Sequence, residues 1–228
     1  MSILEASETK SAEEVLRWAL KEFSGQISLA SSFGAEDVVL IDMIAKIDPK
    51  TRIFTLDTGR LNEETYDVME RIRRKYGVSI ESYFPDREKV EKLERSKGFY
   101  SFRESVENRK ECCHIRKVEP LERALKGLKA WITGQRREQA GREGVQKVET
   151  DAANGGLLKI NPLADWTEKQ VWDTIKKNSV PYNKLHDAGY RSIGCAPCTR
   201  AVATGDDERA GRWWWENPDH KECGIHRK

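Results

Sequence analysis

The chain has 228 residues, enough to bury a substantial core, and this length favours one domain over two short ones. Its 40 Lys and Arg against 38 Asp and Glu give a net charge of +2, which argues against a protein that coats nucleic acid or a membrane but allows local basic pockets for an anionic substrate. No apolar run approaches the ~18 residues of a membrane span, so we expect a cytoplasmic protein.

Helical and strand patterns alternate along the N-terminal half. Ser11 and Glu14 have the spacing of a capping box, and the helix that they begin ends near Gly25. Three strands are predicted over residues 27–30, 52–56 and 78–83. Each is followed by a helical pattern, over residues 38–44, 63–76 and 86–98 respectively. This alternation predicts an α/β fold with a doubly wound, mostly parallel sheet, whose ligands bind beyond the carboxyl ends of the strands.

Small-residue loops follow the first two strands at those carboxyl ends. Residues 31–37, Ser-Ser-Phe-Gly-Ala-Glu-Asp, would turn backbone N–H groups and a helix N-terminus toward an anion. The alternative is that this loop serves tight packing alone. Thr58 and Gly59 occupy the equivalent place after the second strand.

The second half continues the pattern less regularly. Residues 104–125 are predicted to be helical and bent near Pro120. A strand over 129–133 precedes Arg136 and Arg142, which could bind anionic oxygens in a bidentate manner or belong to an ordinary surface loop. Residues 150–156 read as a polar turn before a strand over 157–160, and Asp165 is the expected cap of the next helix.

Five cysteines, two of them adjacent, make a poor disulfide framework and favour metal or redox chemistry. Cys195 and Cys198 have metal-ligand spacing, and Cys112 and Cys113 would complete a four-thiolate site for zinc or an iron–sulfur cluster. Adjacent cysteines project apart, which favours a cluster because it offers a different iron to each sulfur. Cys223 stands alone between basic residues that would stabilise its thiolate, so it is the predicted nucleophile.

Five motifs resemble those of the assimilatory adenylyl-sulfate reductases, in order along the chain. They are Cys-Cys-x-Ile-Arg-Lys from residue 112, Thr-Gly-Gln-Arg-Arg from 133, Gly-Cys-x-Pro-Cys-Thr-Arg from 194, Arg-x-Gly-Arg-Trp-Trp-Trp from 209 and Lys-Glu-Cys-Gly-x-His from 221. The resemblance implies an adenine-nucleotide α-hydrolase-like fold related to ATP pyrophosphatases. It also implies a [4Fe–4S] cluster on the two cysteine pairs and reduction of adenosine 5′-phosphosulfate to sulfite and AMP through an S-sulfonate on Cys223, with thioredoxin as electron donor.

The same resemblance assigns roles residue by residue. The nucleotide would be held by Ser31, Ser32, Phe33, Gly34, Ala35, Asp37, Leu56, Thr58 and Gly59. The phosphosulfate would be neutralised by Lys117, Arg142, Arg209 and Arg212, with Arg136 as a further substrate-binding arginine. His226 would orient the tail or assist the thiolate of Cys223. The match departs over residues 140–146, where the family's usual serine is Ala140 and the loop is shorter, and this places most doubt on Arg142.

Alternatives and the C-terminal tail complete the expectations. A 3′-phosphoadenosine 5′-phosphosulfate reductase or a dual-substrate enzyme is the nearest alternative, and a zinc-containing tRNA-modifying protein is a more distant one. We expect one body over residues 1–215 and a mobile tail over 216–228, which would close over substrate and open to present Cys223 to thioredoxin. A homo-oligomer is possible; nucleic acid and membrane are not expected partners.

Overall fold

The computed structural model describes residues 7–139, 142–217 and 224–225. Two compact units divide the chain. We call Met1–Thr55, Glu63–Glu81 and Gly127–Lys184 the sheet unit, and Leu56–Asn62, Ser82–Lys126 and Leu185–Lys228 the cysteine unit. The expected boundary between a body over 1–215 and a tail over 216–228 stays a prediction, because most of the tail lies outside the described residues.

One six-stranded sheet carries the fold, in the order β3-β2-β1-β4-β6-β5. Its strands are β1 Ile27–Ala30, β2 Arg52–Leu56, β3 Ile80–Tyr83, β4 Ala130–Ile132, β5 Val148–Asp151 and β6 Leu157–Ile160. β1 pairs in parallel with β2 and β4, β4 pairs in parallel with β6, and β5 is antiparallel to β6. The prediction of a mostly parallel sheet is therefore confirmed. The strand order reverses direction between β1 and β4, the type of position where such sheets bind ligands.

Four helices pack their apolar faces into the larger core with the strands of the sheet. They are α1 Ala12–Glu22, α2 Ala35–Ile47, α3 Glu63–Tyr76 and α7 Glu168–Lys177. Ser11 and Glu14 form the predicted capping box, which fixes the start of α1. α2 is buried on most of its surface, because Val38 to Ile41 all pack into the core.

The cysteine unit has a smaller core built on short helices. These are α4 Arg87–Lys97, α5 Val106–Cys113 and α6 Glu119–Leu125, and a π-helical turn over His114–Val118 joins the last two. The irregularity lies upstream of the bend that the sequence predicts. Pro120 stands in the first turn of α6, where a missing N–H costs nothing. A π turn directly after Cys113 is the kind of distortion that occurs often at functional sites.

One local prediction in the second half is wrong, and another is wrong only at its first two residues. Asp165 does not cap α7; Thr167 does, in a capping box with Gln170. Residues 150 and 151, predicted as the start of a polar turn, belong to the edge strand β5, where Asp151 is buried and accepts a hydrogen bond from Trp131 Nε1 at 3.1 Å. The turn itself follows over residues 152–156. Across the described part of the chain, no helix is both long and apolar enough to traverse a bilayer.

Candidate functional site

In the sheet unit, the loop after β1 is organised by its own carboxylate. The backbone N–H and the hydroxyl of Ser32 both donate to Asp37 Oδ2, at 2.6 and 2.8 Å. The N–H of Phe33, which adopts φ +60°, donates to Ser31 Oγ at 3.1 Å. Burial raises the pKa of Asp37 to about 6, against the hydrogen bonds from Ser32, which lower it. Two N–H groups of the loop, those of Ser32 and Phe33, are thus paired within the loop itself.

The loop after β4 presses against the first turn of α2. A Cβ on Gly134 would lie 2.5 Å from Asp37 Oδ1 and 2.8 Å from Glu36 Cβ, so only glycine allows this approach. Arg136 is 1% exposed and pairs with Glu36 at 2.7 Å and Glu138 at 2.6 Å. Because its guanidinium is committed to two carboxylates, Arg136 positions this loop in the sheet unit.

In the cysteine unit, four buried cysteines line one cavity. Cys112 and Cys113 come from the end of α5, and Cys195 and Cys198 from a short 3₁₀ turn, Ala196–Cys198. The other residues that line the cavity are Arg60, Phe102, Arg109, Arg116, Lys117 and Trp213. No two of these four described cysteines form a disulfide. Thiols from two distant segments thus meet in one cavity together with four cationic side chains.

The thiol pKa values diverge within this cavity. Burial raises the pKa of Cys198 to about 12 and also raises that of Cys112. Burial likewise acts to raise the pKa of Cys195, but the Lys117 ammonium, a hydrogen bond to Thr58 and nearby arginines outweigh it, so the pKa of Cys195 is lowered. The thiol of Cys195 lies 3.3 Å from Thr58 Oγ1.

An arginine–carboxylate network supports the cavity wall. Arg116 donates to the carbonyl oxygen of Thr58 at 2.7 Å and to Glu94 at 2.6 Å. Arg60 donates to the same Glu94 oxygen at 2.9 Å, and its carbonyl accepts from the N–H of Ala196 at 2.8 Å. These hydrogen bonds therefore hold the loop after β2, the π turn and the turn over Ala196–Cys198 together within the cysteine unit.

A metal cluster fits the donor set of this cavity. Within the described residues, Arg116 Nε and Trp213 Nε1 are buried without a hydrogen-bond acceptor, and both residues line the cavity. No three described His, Cys, Asp or Glu side chains are grouped to hold one metal ion. A four-iron cube does not need such a group, because each cysteine binds a different iron.

The cations expected to bind phosphosulfate differ in their surroundings. Lys117 and Arg212 are buried in the cysteine unit, whereas Arg209 is half-buried there. A Cβ on Gly194 would come within 2.5 Å of the Arg212 guanidinium, which stacks on Trp213 with its Cζ 4.7 Å from the ring centroid. Arg142 is half-buried in the sheet unit, next to residues outside the described part.

Residues 26–201 match the family model "Phosphoadenosine phosphosulfate reductase domain". The chain belongs to the phosphoadenosine phosphosulfate reductase family. It is 52% identical over 218 residues to a protein of Allochromatium vinosum named adenosine 5′-phosphosulfate reductase. The matched region covers 95% of this chain and 84% of the Allochromatium protein.

Two further members of the phosphoadenosine phosphosulfate reductase family extend the comparison. The chloroplastic 5′-adenylylsulfate reductase 3 of Arabidopsis thaliana is 48% identical over 96% of this chain, which matches 49% of the plant protein. The crystal structure of phosphoadenylyl-sulfate reductase from Candida auris, in a phosphate complex, superposes with a TM-score of 0.74 at 32% identity. The superposition covers 87% of this chain and 95% of the Candida auris chain. The predicted adenine-nucleotide type of α/β fold is thereby confirmed.

The structure brings part of the predicted reductase site together, unit by unit. Thr58, Gly59, Lys117 and the four cysteines lie in the cysteine unit, and the loop from Ser31 to Asp37 lies in the sheet unit with Arg136. Leu56 is half-buried at the end of β2. Cys223 and His226, the predicted nucleophile and its helper, lie outside the described residues, so their roles stay predictions.

Sequence reasoning missed several residues of the cysteine cavity. Arg60, Phe102 and Arg109 line it, although no motif pointed to them. Helical spacing could have found Arg109, which lies three and four residues before the two adjacent cysteines. Arg116 stands inside the first cysteine motif, yet only its contacts reveal a role.

Proposed function

We propose that this protein is an assimilatory reductase of adenosine 5′-phosphosulfate that releases sulfite and AMP. The observation that carries the proposal is the cavity of four buried cysteines surrounded by cationic side chains. Relatives from bacteria and plants that bear the matching names support it. A cavity rich in thiols and cations suits chemistry at a sulfur centre that carries negative charge.

The proposed reaction is a two-step sulfur transfer. The Cys223 thiolate attacks the sulfur of the substrate, and the sulfur–oxygen bond to the phosphate breaks, so that AMP leaves with the bonding electron pair. Cys223 then carries an S-sulfonate. A thiolate of reduced thioredoxin attacks the Cys223 sulfur, sulfite leaves with the electron pair, and the second thiol of thioredoxin resolves the mixed disulfide. Thioredoxin is oxidised to its disulfide, and the cysteine thiolate is restored.

Fixed cations lower the barrier of the first step. A thiolate approaches an anion, and buried positive charges nearby offset that repulsion where charge develops on the leaving phosphate. Lys117 and Arg212 are the buried cations that would do this in the cysteine unit. The loop from Ser31 to Asp37, with its internal carboxylate, would contact the nucleoside part.

A [4Fe–4S] cluster is the cofactor that we propose for the four cysteines. It would be held by Cys112 and Cys113 at the end of α5 and by Cys195 and Cys198 beside the turn over Ala196–Cys198, and its iron ions would offset the negative charge of the four thiolates. Two buried donors that lack acceptors, Arg116 Nε and Trp213 Nε1, fit the inorganic sulfides of such a group. Zinc is the alternative metal for these four thiolates, and metal analysis distinguishes a zinc ion from an iron–sulfur cluster.

Partner and location complete the proposal. Thioredoxin is the expected electron donor, the cytoplasm the expected compartment, and a homo-oligomer an open possibility. Because Cys223 must meet both a bound nucleotide and a partner protein, we retain the expectation that the tail opens and closes.

A direct assay tests the proposed function. Purified protein, adenosine 5′-phosphosulfate and reduced thioredoxin should yield sulfite and AMP in equal amounts, and Cys223→Ser should abolish both. The second candidate substrate is the 3′-phosphorylated nucleotide, which the name of the Candida auris relative favours. We expect at least a tenfold higher kcat/KM for the unphosphorylated form. A preference for the 3′-phosphorylated nucleotide would reverse the assignment of substrate, and no sulfite from either would refute the function.

A further inference from the structure

A buried ion pair joins α5 to the start of the C-terminal tail. Arg109 donates from Nε to Glu216 Oε1 and Oε2 at 3.0 and 3.2 Å, and its terminal nitrogen lies 2.9 Å from Oε2. The side chains are 0% and 4% exposed. Two side chains thus meet in a bidentate arrangement away from water.

Stability alone does not account for such a pair. Removing two charges from water costs several kcal/mol per ion, and similar buried pairs can be replaced by apolar residues without loss of stability. A bidentate contact between a guanidinium and a carboxylate fixes the relative orientation of the two side chains, because both nitrogens must meet both oxygens. The pair therefore specifies where Glu216 lies.

Further contacts hold Trp213 and Glu216 against the two elements that carry the four cysteines. The guanidinium of Arg109 stacks on Trp213, with its Cζ 4.8 Å from the ring centroid. The N–H of Trp213 donates to the carbonyl of Cys198 at 3.1 Å, and the N–H of Glu216 donates to the carbonyl of Trp213 at 2.9 Å. The segment is thereby held from both cysteine-bearing elements.

We propose that Arg109 and Glu216 are positioning residues that anchor the tail bearing Cys223. Glu216 stands seven residues before Cys223. Seven residues span at most ~25 Å, so the anchor defines the region within which the nucleophile can meet substrate. Arg109 lies one helical turn before Cys112 and Cys113, so the origin of the tail is tied to the cysteine cavity. This inference rests on the proposed function.

The test separates sulfonation from binding and from cluster content. In single-turnover mixtures of the holoenzyme with adenosine 5′-phosphosulfate and no thioredoxin, mass spectrometry follows the S-sulfonate on Cys223. Glu216→Gln, which keeps the shape but removes the charge, should slow its formation ten- to fiftyfold. AMP affinity should change less than threefold, and iron per chain should stay unchanged. Glu216→Asp, which keeps the charge, should recover most of the rate.

Two further variants serve as a matched control and as a substitute for Glu216→Gln if it does not fold. Glu111 lies on α5, as Arg109 does, and Glu111→Gln removes an exposed ion pair with Lys97 of α4; this variant should form the S-sulfonate at the wild-type rate. If Glu216→Gln fails to fold, the double variant Arg109→Gln with Glu216→Gln leaves neither charge buried alone and takes its place. Wild-type rates in either Glu216→Gln or the double variant would overturn the inference. If the wild-type protein itself forms no S-sulfonate on Cys223, it is the proposed function that fails.

Discussion

The thiol of Cys195 lies 3.3 Å from the hydroxyl oxygen of Thr58, which follows β2 by two residues. This contact joins the second cysteine pair to a residue that was expected to bind nucleotide. Thr58 also offers its carbonyl to Arg116 at 2.7 Å, so one residue contacts both a cysteine and a cavity arginine. Changes at the cysteines should therefore affect the loop after β2 as well.

The cysteine cavity predicts a defined metal content. The wild-type protein, purified without oxygen, should contain about four irons and about four acid-labile sulfides per chain. Cys198→Ser should lower both to less than about a tenth, because one ligand is lost and the two segments separate. Cys223→Ser is the matched control and should keep its iron while losing activity. Stoichiometric zinc without sulfide would contradict the cluster.

Asp37 predicts a pH dependence of stability. Its pKa is raised from 3.8 to about 6 by burial, so the folded state holds the proton more tightly than the unfolded state does. The contribution of Asp37 to the free energy of unfolding should fall as pH rises from about 4 to about 6, by up to about 3 kcal/mol, and should level off above pH 7. Asp37→Asn should flatten this part of the pH profile in denaturant titrations.

The exposed Asp173 provides the control for this profile. It pairs with Lys169 on the surface of α7, so Asp173→Asn should leave the pH profile as in the wild type. An Asp37→Asn profile that still falls between pH 4 and 6 would show that another group causes the dependence.

Gly134 predicts a steric requirement at the end of β4. Gly134→Ala would place Cβ 2.5 Å from Asp37 Oδ1, so the loop or α2 must shift. We expect a loss of about 1–3 kcal/mol in the free energy of unfolding and roughly tenfold weaker AMP binding. Gly144→Ala, in the same connection but with no atom within 4 Å of the added Cβ, should stay within about 0.5 kcal/mol of wild type. Equal behaviour of the two variants would show that the loop yields freely.

Gly194 predicts an effect on Arg212 without an effect on folding. In Gly194→Ala the added Cβ would lie 2.5 Å from the guanidinium, the far end of a flexible side chain that can move away. Iron content and stability should persist, while kcat/KM for adenosine 5′-phosphosulfate falls by roughly tenfold because a buried cation is displaced. Gly211→Ala offers a contrast, since its Cβ would meet the carbonyl of Arg200 and should destabilise the fold. Unchanged kcat/KM in Gly194→Ala would exclude Arg212 from substrate binding.

Local patterns determined the strands, the helices and the cysteine pairs. Strand runs such as Ile27–Ala30, the capping box of Ser11 and Glu14, and the paired thiols at 112–113 and 195–198 are set by residues close together in sequence. Their periodicity and spacing express backbone geometry that each segment carries with it. The mostly parallel character of the sheet and the resemblance to one family followed from the same short-range information.

Only the tertiary structure decided which side chains share an environment. Gly134 lies against Asp37, Arg136 pairs with Glu36, and Asp151 is buried beside Trp131 at the end of an edge strand where the sequence presents a turn. Arg60 and Arg109 line the cysteine cavity from segments that no motif connects. These facts depend on burial and on contacts between residues far apart in sequence, where the cost of removing a charge from water decides which groups must pair.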